Sequence, residues 1–179
     1  FLNDKQYTIN NYIWNQKYTY ALAKKLKETY PDIKIILGGP QLEWRDDNYF
    51  EKYPYIDSIV IGEGESALKF LLECYLDGKD LPKRNQFERI KDLDLPSPYL
   101  TGLFDSLLEE YPDIDWVPTL ESDRGCPYAC TFCDWGSATA SKMYKLYTER
   151  IVPEIEWFVE HKLTYMNLTN SNFGVFKER

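Results

Sequence analysis

Along this chain, short apolar runs alternate with longer stretches in which apolar residues return every three or four positions. Tyr7 to Trp14 mixes β-forming residues with Asn10 and Asn11, which predicts a buried strand ending in a polar loop at Asn15. From Lys17 to Thr29, Leu22, Ala23 and Leu26, followed by Tyr30, share one helical face, and Lys24, Lys25, Lys27 and Glu28 take the other. Pro31-Asp32 ends that helix, and Ile33 to Leu37 is a short apolar strand running into Gly38-Gly39-Pro40. Strand, helix and strand within about 30 residues make the βαβ unit of a parallel sheet. The same logic repeats with a strand over Asp57 to Ile61, a glycine turn at Gly62-Glu63-Gly64-Glu65 and a helix over Ser66 to Leu76. Leu68, Leu71, Leu72 and Tyr75 point inward from that helix, and Cys74 on it reads as a small buried hydrophobe.

Residues 77 to 116 read as a connector, because Asp77-Gly78 ends the helix and Pro82, Pro96, Pro98 and Pro112 break any long element. Within it, Leu95 to Phe104 is apolar and aromatic and is expected to pack against a domain. Trp116 to Ser122 is the next strand, Thr148 to Glu160 a helix kinked or begun at Pro153, and Tyr165 to Thr169 a further strand ending in Asn170-Ser171-Asn172-Phe173-Gly174. The expected fold class is α/β. Residues 1–78 form a parallel-sheet domain, 79–115 a linker and 116–179 a second β/α region.

Composition narrows the classes. With 44% hydrophobic and 16% aromatic residues the chain has enough apolar surface for a core. Net charge is -8, and beyond Lys24, Lys25 and Lys27 no basic face stands out, so no nucleic-acid surface is evident. No apolar run approaches the roughly 20 residues that cross a bilayer, and no signal peptide opens the chain, so no membrane partner and a cytoplasmic location are expected.

The chemistry concentrates at Arg124-Gly125-Cys126-Pro127-Tyr128-Ala129-Cys130-Thr131-Phe132-Cys133-Asp134-Trp135-Gly136, where three of the four cysteines fall within eight positions as C-x3-C-x2-C. Three thiolates so close together suit one soft metal centre. A closed zinc site, or a 4Fe-4S cluster held by cysteine alone, needs four ligands, so a cubane held by three leaves one iron open to a cofactor or substrate. The bland alternative is a zinc knot completed by Cys74 or His161, the one histidine. Gly38-Gly39 and Gly62 to Glu65 follow predicted strands, where open α/β sheets bind ligands, although any βα turn favours glycine.

At the cysteine loop, with an aromatic residue before its last cysteine, the chain resembles the radical S-adenosylmethionine (radical SAM) superfamily. The resemblance implies a 4Fe-4S cluster on Cys126, Cys130 and Cys133, with SAM chelated at the open iron. It places SAM near Phe132, Trp135, Gly136, Asn170 and Asn172, and Asn170 stands where Asp is commoner in the family. Tyr12-Ile13-Trp14-Asn15, Gly38-Gly39-Pro40 and Gly62-Glu63-Gly64-Glu65 look like the second half of the cobalamin-binding domain that precedes the radical SAM core in one subgroup. That likeness assigns Gly38, Gly39, Gly62, Glu63 and Gly64 to the cobalamin tail. The subgroup's Asp-x-His-x-x-Gly loop is not found in this chain.

The implied architecture is the end of a Rossmann-like (flavodoxin-like) sheet followed by the start of a partial β/α barrel, so the chain is expected to be part of a longer protein. The implied activity is reductive cleavage of SAM to start radical chemistry, with cobalamin-dependent methyl transfer as the leading reaction. An electron donor such as flavodoxin or ferredoxin would supply the reductant, and the substrate is unknown. Methylthio transfer or rearrangement without cobalamin is the alternative within the family, and a metal-binding module without catalysis the alternative outside it. A methylthiotransferase should carry a second cysteine trio upstream, where Cys74 stands alone.

Overall fold

The apolar run Ile33 to Leu37 has apolar residues for both faces of a sheet. The computed structural model, which describes residues 6–90, 95–128, 130–132 and 143–176, places it in the second strand of a four-stranded parallel sheet. The chain divides into two units, Phe1–Ile90 and Lys91–Arg179. In the first, β1 (Gln6–Asn10), α1 (Gln16–Thr29), β2 (Lys34–Gly38), α2 (Tyr49–Lys52), β3 (Ser58–Ile61), α3 (Glu65–Leu76) and β4 (Arg84–Gln86) follow in order. The strands lie in sequence order β1-β2-β3-β4, with Thr8 beside Ile36, Ile36 beside Ser58 and Ile59 beside Arg84.

Strand alternation sorts the core into two layers. Ile35, Leu37 and Ile59 face Tyr20 and Ala23 of α1, Tyr49 of α2, and Ile56. Ile36 and Val60 face the other way, onto Ala67 and Leu71 of α3. Each such fully buried aliphatic side chain contributes roughly 1.5–3 kcal/mol. Asp57 fastens the sheet to α1, because its Oδ2 accepts from the Ile35 amide at 2.7 Å and from Lys27 Nζ at 2.9 Å.

Several expectations shift by a residue or two. The first strand stops at Asn10 because Asn15 closes a turn behind it, accepting from the Tyr12 amide at 2.8 Å and donating to the Asn10 carbonyl at 3.0 Å. It borders the described sheet and is not buried: Thr8 and Asn10 are exposed and Ile9 half-buried. Helix α1 buries Thr19, Tyr20 and Ala23, leaving Leu22 51% exposed, and α3 buries Ala67, Leu71 and Cys74, leaving Leu72 exposed. Small residues allow the close approach to the sheet, so the inward face follows Ala23, Ala67 and Cys74 more closely than the largest side chains. Strand β4 lies in the stretch expected to be a linker. Its Asn85 is buried and donates to Ser58 Oγ at 2.7 Å and to the Ile59 carbonyl at 3.1 Å.

The second unit comprises α4 (Asp105–Glu110), β5 (Thr119–Leu120), β6 (Asp123–Arg124), β7 (Tyr144–Lys145), α5 (Thr148–Glu160) and β8 (Asn167–Leu168). β5 and β8 pair in parallel, and β6 and β7 pair antiparallel. Tyr99, Leu120 and Phe158 form the core, with Phe104, Ile151, Trp157 and Leu163 against it. Tyr99 gives the apolar segment its packing role: its ring meets Phe158 edge-on at 4.8 Å, and its hydroxyl donates to the Thr119 carbonyl at 2.8 Å and accepts from the Thr119 amide at 2.9 Å. Helix α5 continues through Pro153 and buries Glu154 and Phe158, while Val152 and Val159 are exposed. Among the described residues no helix is long and apolar enough to cross a membrane.

Candidate functional site

In the second unit, two strand ends meet at the entry to the cysteine loop. The parallel pairing of β5 with β8 carries on past Leu120, whose carbonyl accepts from the Thr169 amide at 3.0 Å. The next residues are held by a side chain, since Asn170 Nδ2 donates to Ser122 Oγ at 2.8 Å. Strand β6 follows and is held from the other side by β7, with Asp123 opposite Lys145 and Arg124 opposite Tyr144. The loop therefore leaves from a strand and returns to its antiparallel partner. Arg124 forms a two-pronged pair with Glu121, Nε to Oε1 and Nη2 to Oε2 both at 2.8 Å, so its guanidinium is committed beside the loop. Gly125 turns the chain with φ +105°, a conformation that favours glycine.

Cys126 and Cys130 are free thiols, the first partly buried and the second exposed, and the Cys126 sulfur lies 4.0 Å from the Tyr128 carbonyl. Phe132 is 90% exposed. Cys133, Trp135 and Gly136 lie outside the described residues. In the segment that follows β8, Asn170 and Asn172 play different parts. Asn170 is spent on Ser122, whereas the Nδ2 of Asn172 is buried and has no hydrogen-bond partner among the described residues. His161, considered as a zinc ligand, stacks on Trp157 at 3.9 Å with its Nδ1 2.8 Å from the Trp157 carbonyl. Cys74 lies on the buried face of α3 in the first unit.

The glycine turns of the first unit stand at the carboxyl ends of β2 and β3. Gly39 has φ +105°, and a Cβ there would lie 2.6 Å from the Asn11 carbonyl oxygen, whereas one on Gly38 would meet only ordinary contacts. Gly62, at φ +84°, and Gly64 have nothing within 4 Å of a built Cβ, so this turn borders open space. Glu63 is paired: Arg89 Nε donates to its Oε1 at 2.7 Å, and both side chains are about four-fifths buried, at 20% and 21% exposure. Arg89 went unnoticed in the sequence because it lies 26 positions from Glu63 and no pattern announces the pair.

No family model matches the chain. The cobalamin-dependent radical SAM methyltransferase TokK of Streptomyces tokunonensis is 38% identical over 184 residues, covering 92% of this chain and 27% of that protein. The chain belongs to the radical SAM superfamily, in the subgroup with an N-terminal cobalamin-binding domain. A second relative, the 2-(S-pantetheinyl)-carbapenam-3-carboxylate methyltransferase of Streptantibioticus cattleyicolor, is 35% identical over 182 residues, again 92% of this chain and 27% of the other. This radical SAM chain thus spans about a quarter of the length of these curated relatives, 27% in each case. The radical SAM methyltransferase TsrM of Kitasatospora setae, solved with tryptophan and a SAM analog, aligns with a TM-score of 0.62 at 16% identity, covering 95% of this chain and 37% of that one. That likeness shows the shared α/β fold, a parallel sheet followed by the start of a β/α barrel.

The described residues fit the cofactors of a radical SAM protein in their donor chemistry. The loop offers unpaired thiols, and soft sulfur suits an iron-sulfur cluster. Among the described residues no three His, Cys, Asp or Glu side chains gather as a metal site. The unspent buried donor of Asn172 fits a polar ligand, since a buried N–H without a partner costs about 1–3 kcal/mol until it finds one.

Proposed function

We propose that the protein containing this chain is a cobalamin-dependent radical SAM methyltransferase that transfers a methyl group to an unactivated carbon. The observation that carries this reading is the 38% identity, over 92% of the chain, to a protein named for that chemistry, together with the C-x3-C-x2-C loop. When bound, the cluster supplies the electron that breaks a carbon–sulfur bond of SAM, and cobalamin supplies the methyl group.

The chain's own residues bind and orient. Cys126, Cys130 and Cys133 would hold three irons, which leaves the fourth open for SAM. The β6–β7 ladder fixes where the loop begins and ends, so the thiolates are presented from anchored strands. The Glu121–Arg124 pair holds a guanidinium on the residue two positions before Cys126, where its charge would bear on cluster potential. Asn172 would donate to SAM, and Phe132, Trp135 and Gly136 complete the proposed surroundings, whereas the Asn170 side chain is committed to Ser122. In the first unit, Gly38, Gly39, Gly62, Glu63 and Gly64 would line the cobalamin tail, and Arg89 neutralises the Glu63 charge there. Flavodoxin or ferredoxin would deliver electrons, and the proposed domain order is a cobalamin-binding-like unit that includes β4, a linker and the start of the barrel.

The test is anaerobic incubation of the reconstituted full-length protein with SAM and a strong reductant, followed by quantification of 5'-deoxyadenosine. Formation of this product by the wild type, and its loss in Cys126→Ala, is the expected result. A protein that binds zinc stoichiometrically and leaves SAM intact would sink the reading. The carbapenam acceptor named for the S. cattleyicolor relative is the first substrate to try.

A further inference from the structure

Asn170 stands where the resemblance expects a cofactor contact, yet its side chain is turned to the protein. Nδ2 donates to Ser122 Oγ at 2.8 Å and reaches the Asp123 carbonyl at 3.4 Å, while Oδ1 faces the Ser122 amide at 3.4 Å. The first is a full hydrogen bond, and the longer two orient the amide. Ser122 and Asp123 are 3% and 1% exposed, so these contacts are shielded from water and cannot be exchanged freely for it.

The backbone explains why a side chain is needed there. The parallel ladder between β5 and β8 spans two residue pairs, Thr119 with Asn167 and Leu120 with Leu168, and its last bond runs from the Thr169 amide to the Leu120 carbonyl. Beyond it, Ser122 gives its carbonyl to the Leu146 amide at 3.1 Å, and β6 turns to pair with β7. At that change of partner the Asn170 amide reaches Ser122 from the β8 side, and the cysteine loop starts three residues further on, at Gly125.

We propose that Asn170 is a positioning residue for the cysteine loop. It extends the β5–β8 ladder by one side-chain rung, fixing the approach of Ser122 and Asp123 to the loop, and leaves the ligand-facing role in the segment after β8 to Asn172. Its importance for the reaction rests on the reading of the loop as the cluster holder, whereas the rung itself does not.

The experiment compares Asn170→Ala, Asn170→Asp, Ser122→Ala and the Ala/Ala double variant in the full-length protein by two readouts. The first is amide hydrogen exchange at Ser122 to Arg124 without cluster, and the second is the electron paramagnetic resonance spectrum of the reduced cluster before SAM is added. Asn170→Ala should speed exchange about tenfold, the effect of losing one to two hydrogen bonds, and should alter the SAM-free spectrum. Asn170→Asp should restore both, because the Ser122 hydroxyl can turn and donate to the carboxylate. The double variant should exchange no faster than the faster single, since both changes remove one rung. If Asn170→Ala keeps wild-type exchange and a wild-type SAM-free spectrum while SAM affinity falls, Asn170 is a cofactor ligand and the proposal is overturned. If the wild type forms no cluster, the functional reading fails, and the exchange measurement still decides whether the rung exists.

Discussion

Replacing Gly39 with alanine should be the most damaging of the glycine substitutions in the first unit. Two effects add. The backbone at Gly39 has φ +105°, which costs an L-residue roughly 1–2 kcal/mol. A new Cβ would also stand 2.6 Å from the Asn11 oxygen and 2.7 Å from its nitrogen, and these backbone atoms are fixed. The Asn11 amide donates to the Gly38 carbonyl at 2.7 Å, and its carbonyl accepts from the Gln41 amide at 3.1 Å. Asn11 is fully buried, so moving it weakens two hydrogen bonds of about 1 kcal/mol each. The expected loss is about 3–4 kcal/mol. Gly62→Ala carries only the conformational part, about 1–2 kcal/mol, because nothing lies within 4 Å of its Cβ. Gly64→Ala should fall within about 0.5 kcal/mol of wild type, as its φ of -90° suits any residue and its surroundings are open. Native-state amide exchange at Ile35 to Leu37 reads opening of this unit separately from the rest. Gly39→Ala should raise exchange there about 100-fold or more. An effect no larger than that of Gly62→Ala would refute the steric argument.

Two further outcomes follow from the packing. Tyr99→Phe removes both hydroxyl bonds to Thr119 while keeping the ring contacts, so it should destabilise the second unit by about 2 kcal/mol in urea titrations monitored by tryptophan fluorescence, and no change would contradict that anchoring role. Burial raises the Tyr20 hydroxyl from 10.0 to about 12 and pushes Tyr49 still higher, and the two hydroxyls hydrogen-bond at 2.8 Å. Above pH 10 the unfolded chain gives up tyrosine protons that the folded chain retains, so the stability is present below that pH and is lost as pH rises. Tyr49→Phe should flatten the alkaline fall in first-unit stability between about pH 10 and 12, and an unchanged slope would show that the pair does not drive it.

How much of this was legible depends on whether local pattern or distant contact decided it. The cysteine spacing is local and dense, and the strand–helix–strand order of α1, β2, β3 and α3 follows from apolar period and glycine stops. What escaped is tertiary. Strand β4 was hidden because Arg84-Asn85-Gln86 is polar, and it joins the sheet through backbone pairing and the buried Asn85 amide. The helical pattern places Ala23 and Cys74 correctly, but it counts Leu22 and Leu72 inward for their apolar character although they are exposed, and it passes over Ala67, which is fully buried. The Glu63–Arg89 pair and the Asn170–Ser122 bond join residues 26 and 48 apart, a separation at which no motif links them. Asn170 looked like a turn residue or a cofactor contact, and only its partner distinguishes a third role.

The central claim is that the cysteine loop holds a cluster with one iron open to SAM. Electron paramagnetic resonance of the anaerobically reconstituted and reduced full-length protein, recorded with and without SAM, tests it most directly. The account predicts a reduced 4Fe-4S signal that changes when SAM is added and is absent from Cys130→Ala. A signal indifferent to SAM, or stoichiometric zinc with no cluster, would contradict it.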